Sequence, residues 1–262
     1  MVWLTQPSED LRQVFYYGYH NDDPKQIFRS SLPIGRVLED YYGLPPVILC
    51  FKLNGQWLTP QRGAPVRIVV PEAYGFKNIK WLTHVVLSNR WSANDSYGDH
   101  NNDVDSPLKT FCETLSFPGK SKPDQPIPMT GYAQVGISGL KQVQVWVHNN
   151  AEMWPDDDPY FAKAPWRDAE ILAPPQNWGG GIPDNRIPAP TFGFDPETGQ
   201  PKTWPLRLSK AHWATLHPGL PAGNYSLRCR TIDENGIAQP MPRPFSKSGR
   251  AEITEVRLTV ES

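Results

Sequence analysis

Proline is spread too densely through this sequence for long helices. The 262 residues hold 29 prolines and 20 glycines. A proline inside a helix removes a backbone donor and clashes with the preceding turn, so strands, turns and loops should dominate. A hydrophobic share of 39% with 20% charged residues is enough for a packed core, and disorder is not the expectation. The length suits one large domain or two ordinary ones.

Charge and cysteine usage narrow the classes further. The formal net charge is −1, so no basic excess points to nucleic acid and no polybasic segment points to a membrane surface. No window approaches the roughly 18 apolar residues of a membrane-spanning helix. The start, MVWLTQPSEDLRQ, lacks the pattern of a secretory signal. Three cysteines, Cys50, Cys112 and Cys229, lie far apart in sequence, which reads as neither a disulfide framework nor a zinc site. All three sit in apolar or alternating runs and read as buried, inert thiols. His212 and His217 are not spaced for one helical face. The acidic run Asp156–Asp158 reads as a solvated loop.

Read along the chain, the pattern is α+β, a β-rich mixture. VFYYGYH (14–20) is a strand. SSLPIGRVLEDYYG (30–43) fits a short helix, with Leu32, Ile34, Val37 and Leu38 on one face and Gly43 as the stop. In PVILCFKLNGQWLTP (46–60), Asn54-Gly55 marks a two-residue hairpin turn. PVRIVVP (65–71) and IKWLTHVVLS (79–88) are strands, and the polar 92–106 stretch is a loop. PGKSKPDQPIPM has the composition of a linker. After it come alternating strands at 131–139, 141–149, 224–236 and 251–261, the pattern of a β-sandwich. The organisation expected is therefore a first domain over 1–120, a linker over 121–129 and a sandwich over 130–262. A Pro/Gly-rich insertion at about 152–205 interrupts that sandwich.

Two cations stand beside runs that look buried. Arg67 enters IVVP, and Lys80 precedes Trp81 and Leu82. By strand periodicity alone they are charges on solvent faces. The longer block LPPVILCFKLNGQWLTPQRGAPVRIVVPEAYGFKNIKWLTHVVL changes that reading. It resembles a signature of the sulfite oxidase family of molybdenum enzymes: an apolar strand, M-N-G, H-G-x-P-x-R, a strand ending V-P-G, Y-G and V-K-W-L. IFRSSLPIGRVLE is similar to that family's R-S-x-P-L segment. PAGNYSLRCRTIDENGIAQP is similar to a recurring stretch of its immunoglobulin-like dimerisation domain.

The resemblance implies a partial molybdopterin-binding domain followed by an Ig-like sandwich. The activity implied is oxygen-atom transfer to or from a small substrate such as sulfite. The cofactor implied is molybdenum–molybdopterin, held by fixed cations and backbone N–H donors. Arg67 matches the arginine of H-G-x-P-x-R, and Lys80 the lysine of V-K-W-L. Arg62 replaces the family's histidine before Gly63. His20 lies where the family's chain passes the cofactor, and Tyr97 is the candidate for its tyrosine near the metal. The family's metal-binding cysteine sits in a C-x-G-N loop that has no counterpart here. That implies either a truncated form or a non-catalytic binding or scaffold relic. A homodimer through the second domain and a cytochrome electron acceptor are further implications, and bacterial members are often periplasmic.

Overall fold

The computed structural model describes residues 2–38, 46–95, 110–177, 187–188, 191–240 and 251–261. It divides into two compact units. The first holds the described residues of 1–108 and 176–200, and the second those of 109–175, 201–243 and 249–262. No helix among the described residues is long and apolar enough to cross a membrane.

In the first unit the chain runs through β1 (Gln13–Gly18), β2 (Phe28–Pro33), α1 (Ile34–Leu38), β3 (Ile48–Cys50), β4 (Lys52–Leu53), β5 (Gln56–Trp57), β6 (Arg67–Val69) and β7 (Leu82–Ser88). β1 is the middle of an antiparallel three-stranded sheet ordered β2-β1-β7, with Val14 opposite both Leu32 and Leu87. The core is Val14, Tyr16, Leu32, Ile68, Val70, Ala73 and Ile79. β3 pairs with β6 so that Leu49 faces Ile68 and Cys50 faces Arg67. Asn54 and Gly55 both take positive φ, 51° and 79°, and join β4 to β5 as the expected hairpin.

The α side of the α+β expectation shrinks to α1, five residues long and the one α-helix among the described residues. Residues 28–33 are strand, not helix. Pro33 has no N–H for a helical bond, and Ser30, Ser31 and Leu32 are buried against β1 and its neighbours. Gly43 lies outside the described residues.

The second unit contains β8 (Phe111–Ser116), β9 (Lys120–Ser121), β10 (Ile127–Gln134), β11 (Leu140–Asn149), β12 (Arg167–Ile171), β13 (Ala211–His217), β14 (Gly223–Asp233) and β15 (Thr254–Val260). Their order is β8-β10-β13-β12-β11-β14-β15-β9. β12 is the crossing point: Arg167–Ala169 pair with β11, while Glu170 and Ile171 pair with β13. One core collects residues from both halves, among them Cys112, Met129, Val143, Val145, Trp213, Leu227, Cys229 and Leu258. Trp213 is fully buried and lies over Gly131. A Cβ at Gly131 would stand 2.3 Å from its ring and 2.1 Å from Glu113 O.

The expected linker lies inside this second unit. Ser121 closes β9 and Ile127 opens β10, so PGKSKPDQPIPM holds β9, the start of β10 and the short connection between them. The expected insertion is also divided, since 176–200 group with the first unit. Proline and glycine report where the backbone turns, and a turn within a domain has the same composition as one between domains.

Candidate functional site

The turn after β5 is a short 3-10 segment, Pro60–Arg62, closed by Gly63 at φ 100°. Glycine is required here twice over. The angle disfavours side chains, and a Cβ would stand 2.9 Å from the Cβ of Lys80. Three side chains converge on the carbonyls of this turn. Trp81 Nε1 donates to Pro60 O at 2.7 Å, Lys80 Nζ to Gln61 O at 2.8 Å, and Arg67 Nη1 to Arg62 O at 3.2 Å. Arg67 Nη2 also reaches Asn78 O at 3.4 Å.

Strand alternation places Arg67. Ile68 and Val70 are buried, at 3% and 2% exposure, which turns Arg67 and Val69 to the other face. Arg67 is half-buried, and its Nε is buried without a hydrogen-bond partner. The ion pairs among the described residues join Lys77 to Asp95, Lys120 to Glu261, Lys163 to Asp157 and Arg228 to Glu255. Arg67 and Lys80 are therefore held by neutral carbonyls, which leave their charge in place. A guanidinium has five N–H donors and an ammonium three, so both keep donors to spare.

Arg67 and Lys80, expected together from the sequence, do meet at one turn. Arg62 contributes the carbonyl that Arg67 binds, and the residue itself is exposed. His20 is exposed, with its ring 5.9 Å from Phe28. It follows Tyr19, whose N–H donates to Trp81 O at 2.9 Å. Tyr97 lies outside the described residues. The backbone N–H groups of Arg62, Gly63 and Ala64 donate to Thr59 O, Pro60 O and Thr59 O, so these three close the turn itself.

A second polar centre escaped the sequence reading. Lys77 is fully buried, with Nζ 2.8 Å from Asp95 Oδ2 and 2.8 Å from Ser31 O. Ser30 Oγ donates to the same Asp95 oxygen at 2.8 Å, and Tyr16 OH donates to Lys77 O at 3.1 Å. Burial pushes the Tyr16 phenol well above its ordinary value, so it remains a donor. The signal available was weak: YGFKN looks like a turn and SANDS like a loop, and nothing local links them.

The fit to a metal differs from the fit to an anion. All three cysteines are buried free thiols. No group of three or more potential metal ligands occurs among the described residues. Asp158 is not a solvated acid as expected. Its carboxylate accepts from Ala162 N and Lys163 N, both at 2.8 Å, and organises its own loop.

The model of the oxidoreductase molybdopterin binding domain family matches residues 3–96. Sulfite oxidase from Drosophila melanogaster is 30% identical over 126 residues, covering 48% of this chain and 21% of that protein. The NADPH nitrate reductase of Pichia angusta is 40% identical over 94 residues, 36% of this chain and 10% of that enzyme. The NADH nitrate reductase of Ulva prolifera is 27% identical over 184 residues, covering 59% and 21% respectively. This chain thus spans about a fifth or less of the length of these relatives. The crystal structure of the sulfane dehydrogenase SoxCD from Paracoccus pantotrophus aligns with a TM-score of 0.58 at 17% identity. The alignment covers 100% of this chain and 60% of that one, a likeness of fold.

Proposed function

We propose that this chain, whose residues 3–96 match the oxidoreductase molybdopterin binding domain and whose relatives include sulfite oxidases, serves molybdenum-dependent oxygen-atom transfer on a small substrate such as sulfite. Its first unit would offer Arg67, Lys80 and Arg62 to the anionic part of the cofactor. The observation that carries this is the state of Arg67: a half-buried guanidinium with an unpartnered Nε and carbonyl partners only. A cation taken partly out of water costs free energy unless an anion or water meets it, and a planar fork suits a phosphate. When bound, the cofactor's metal supplies the redox chemistry, and the chain's residues position the group and attract an anionic substrate.

The experiment is a titration of the purified chain with molybdopterin released from a loaded molybdoenzyme, with inorganic phosphate as a second probe. Arg67→Ala should weaken binding by about tenfold or more, the scale of a lost charge-assisted contact. The thermal midpoint should move by only a few degrees. Equal affinity for wild type and variant would overturn the assignment.

In this proposal His20 contributes to holding the cofactor, and Tyr97 is the catalytic candidate. The second unit is an Ig-like sandwich that pairs two copies, and a cytochrome accepts the electrons. The exposed Leu115 on β8, a strand at the end of the sheet order, suits such pairing. Light scattering that gives a monomer at high micromolar concentration would remove the dimer.

A second reading is favoured by the donor set: the chain is a binding or scaffold relic without metal. Cys50, Cys112 and Cys229 are all buried, and none stands open as the thiolate that would fix the metal. Elemental analysis discriminates. Stoichiometric molybdenum in the purified chain would exclude the relic.

A further inference from the structure

Cys112 and Cys229 are far apart in sequence and adjacent in the core. Cys112 lies on β8 and Cys229 on β14, and both are 0% exposed. Their positions are fixed from two directions. Thr114, two residues along β8 and on the same face as Cys112, has its hydroxyl 3.7 Å from Cys229 Sγ. Thr254 is the cross-strand partner of Cys229. Its hydroxyl stands 3.4 Å from Cys229 Sγ and donates to Cys112 O at 2.7 Å. Both cysteines belong to the same core cluster.

We infer that Cys112 and Cys229 are a disulfide-forming pair that ties β8 to β14 across the core of the second unit when the chain meets an oxidising disulfide. The side chains that bring the two strands together here, Thr114 and Thr254, are small: Thr254 Oγ1 spans from Cys112 O to Cys229 Sγ, and Thr114 Oγ1 reaches the same sulfur. The third thiol is separate. Cys50 belongs to the first unit and donates to Lys52 O at 3.1 Å. This pairing stands apart from the cofactor reading and does not depend on it.

The chemistry is thiol–disulfide exchange with a small-molecule disulfide such as oxidised glutathione. Burial confines it to the folding chain or to an opened state. The thiolate of one cysteine attacks one sulfur of the reagent, forms a mixed disulfide and releases one small thiolate. The other cysteine, its proton lost to solvent, then attacks the first protein sulfur and expels the second small thiolate. Two protein thiols are oxidised, and one small disulfide is reduced to two thiols. The bond closes a loop of roughly 120 residues, a length at which constraint of the unfolded chain is large.

The test is a thiol count on the full chain. The reduced, unfolded protein is refolded in a mixture of reduced and oxidised glutathione, then denatured with an alkylating reagent and weighed intact. The expected result is a single alkylated thiol, assigned to Cys50, in a protein two hydrogens lighter than its reduced form. Adding dithiothreitol should lower the melting temperature of the second unit by roughly 5–15 °C. Alkylation at all three cysteines, a disulfide that includes Cys50, or glutathione retained on Cys112 or Cys229 would overturn the inference. Cys50→Ser provides a control in which no thiol should remain to alkylate. The count on the unmodified chain decides even if Cys112→Ser or Cys229→Ser fails to fold.

Discussion

Replacing Lys77 with methionine should cost the first unit a large part of its stability. The ammonium is fully buried and its partner Asp95 is 7% exposed, 2.8 Å away. Methionine keeps most of the stem's volume and removes only the charge and its donors. Asp95 would then keep its bond from Ser30 Oγ, and Ser31 O would lose the donor it has from Nζ. Removing one partner of a buried pair costs about 3–5 kcal/mol, because the charge that stays behind loses its counter-ion. Typical domains have about 5–15 kcal/mol in total. Asp95→Asn should cost a similar amount, for the mirror-image reason. The double variant Lys77→Met/Asp95→Asn removes both charges and should be less damaged than the two single changes added, with a coupling of roughly 2 kcal/mol or more. Hydrogen exchange of the slowest amides in β1 measures the opening of the first unit alone. A loss below about 1 kcal/mol for Lys77→Met would refute the account of Lys77 as a charge held in place by Asp95.

Gly131→Ala should destabilise the second unit by about 2 kcal/mol or more, since the added Cβ meets Glu113 O at 2.1 Å and the buried Trp213 ring at 2.3 Å. Urea denaturation followed by tryptophan fluorescence reads it, and an unchanged midpoint would contradict the close packing. Acidification should loosen the Asp158 loop. Burial raises that carboxyl, but the N–H donors of Lys163 and Ala162 outweigh it and hold the group below its ordinary value of 3.8. The folded value is the depressed one, so the contribution is complete above 3.8 and is lost as pH falls through the lower folded value. Fluorescence of Trp154 and Trp166, which donate to Asp158 O and Phe161 O, should report that step in wild type. Its persistence in Asp158→Asn would show that another group is responsible.

Local signals were read correctly where a single short stretch carries them. Asn54-Gly55 names its own turn. The alternation of Arg67, Ile68, Val69 and Val70 names the buried face before any partner is known. The errors begin where two local rules agree with one sequence. Leu32, Ile34, Val37 and Leu38 fit a helical stripe, while Leu32 equally fits the buried side of a strand. The neighbour β1 decides for strand up to Pro33. β8, β12 and β13 were not foreseen because their pairing partners are distant. β12 gains its identity from β11 and β13 on its two sides, and the proline-rich stretches around it hide that. Cys112 and Cys229 fail to signal for the same reason. Spacing along the chain carries no information about two residues that meet across a core.

The basic residues beside apolar runs show how such distant pairing alters a chemical reading. The sequence singles out Lys80 by its match to V-K-W-L, but not Lys77, three residues before it. The fold gives them opposite fates. Lys77 turns inward and is neutralised by Asp95, so its charge is spent within the protein and no anion needs to visit it. Lys80 turns to Gln61 O, and Arg67 to Arg62 O and Asn78 O. A carbonyl orients a cation without cancelling it, because a dipole has no net charge to contribute. Among the described residues no carboxylate pairs with either of these two cations. The N–H groups of Arg62, Gly63 and Ala64 are occupied in closing the turn. That division between an internally compensated cation and two uncompensated ones separates the structural lysine of this unit from its candidate ligand-binding pair.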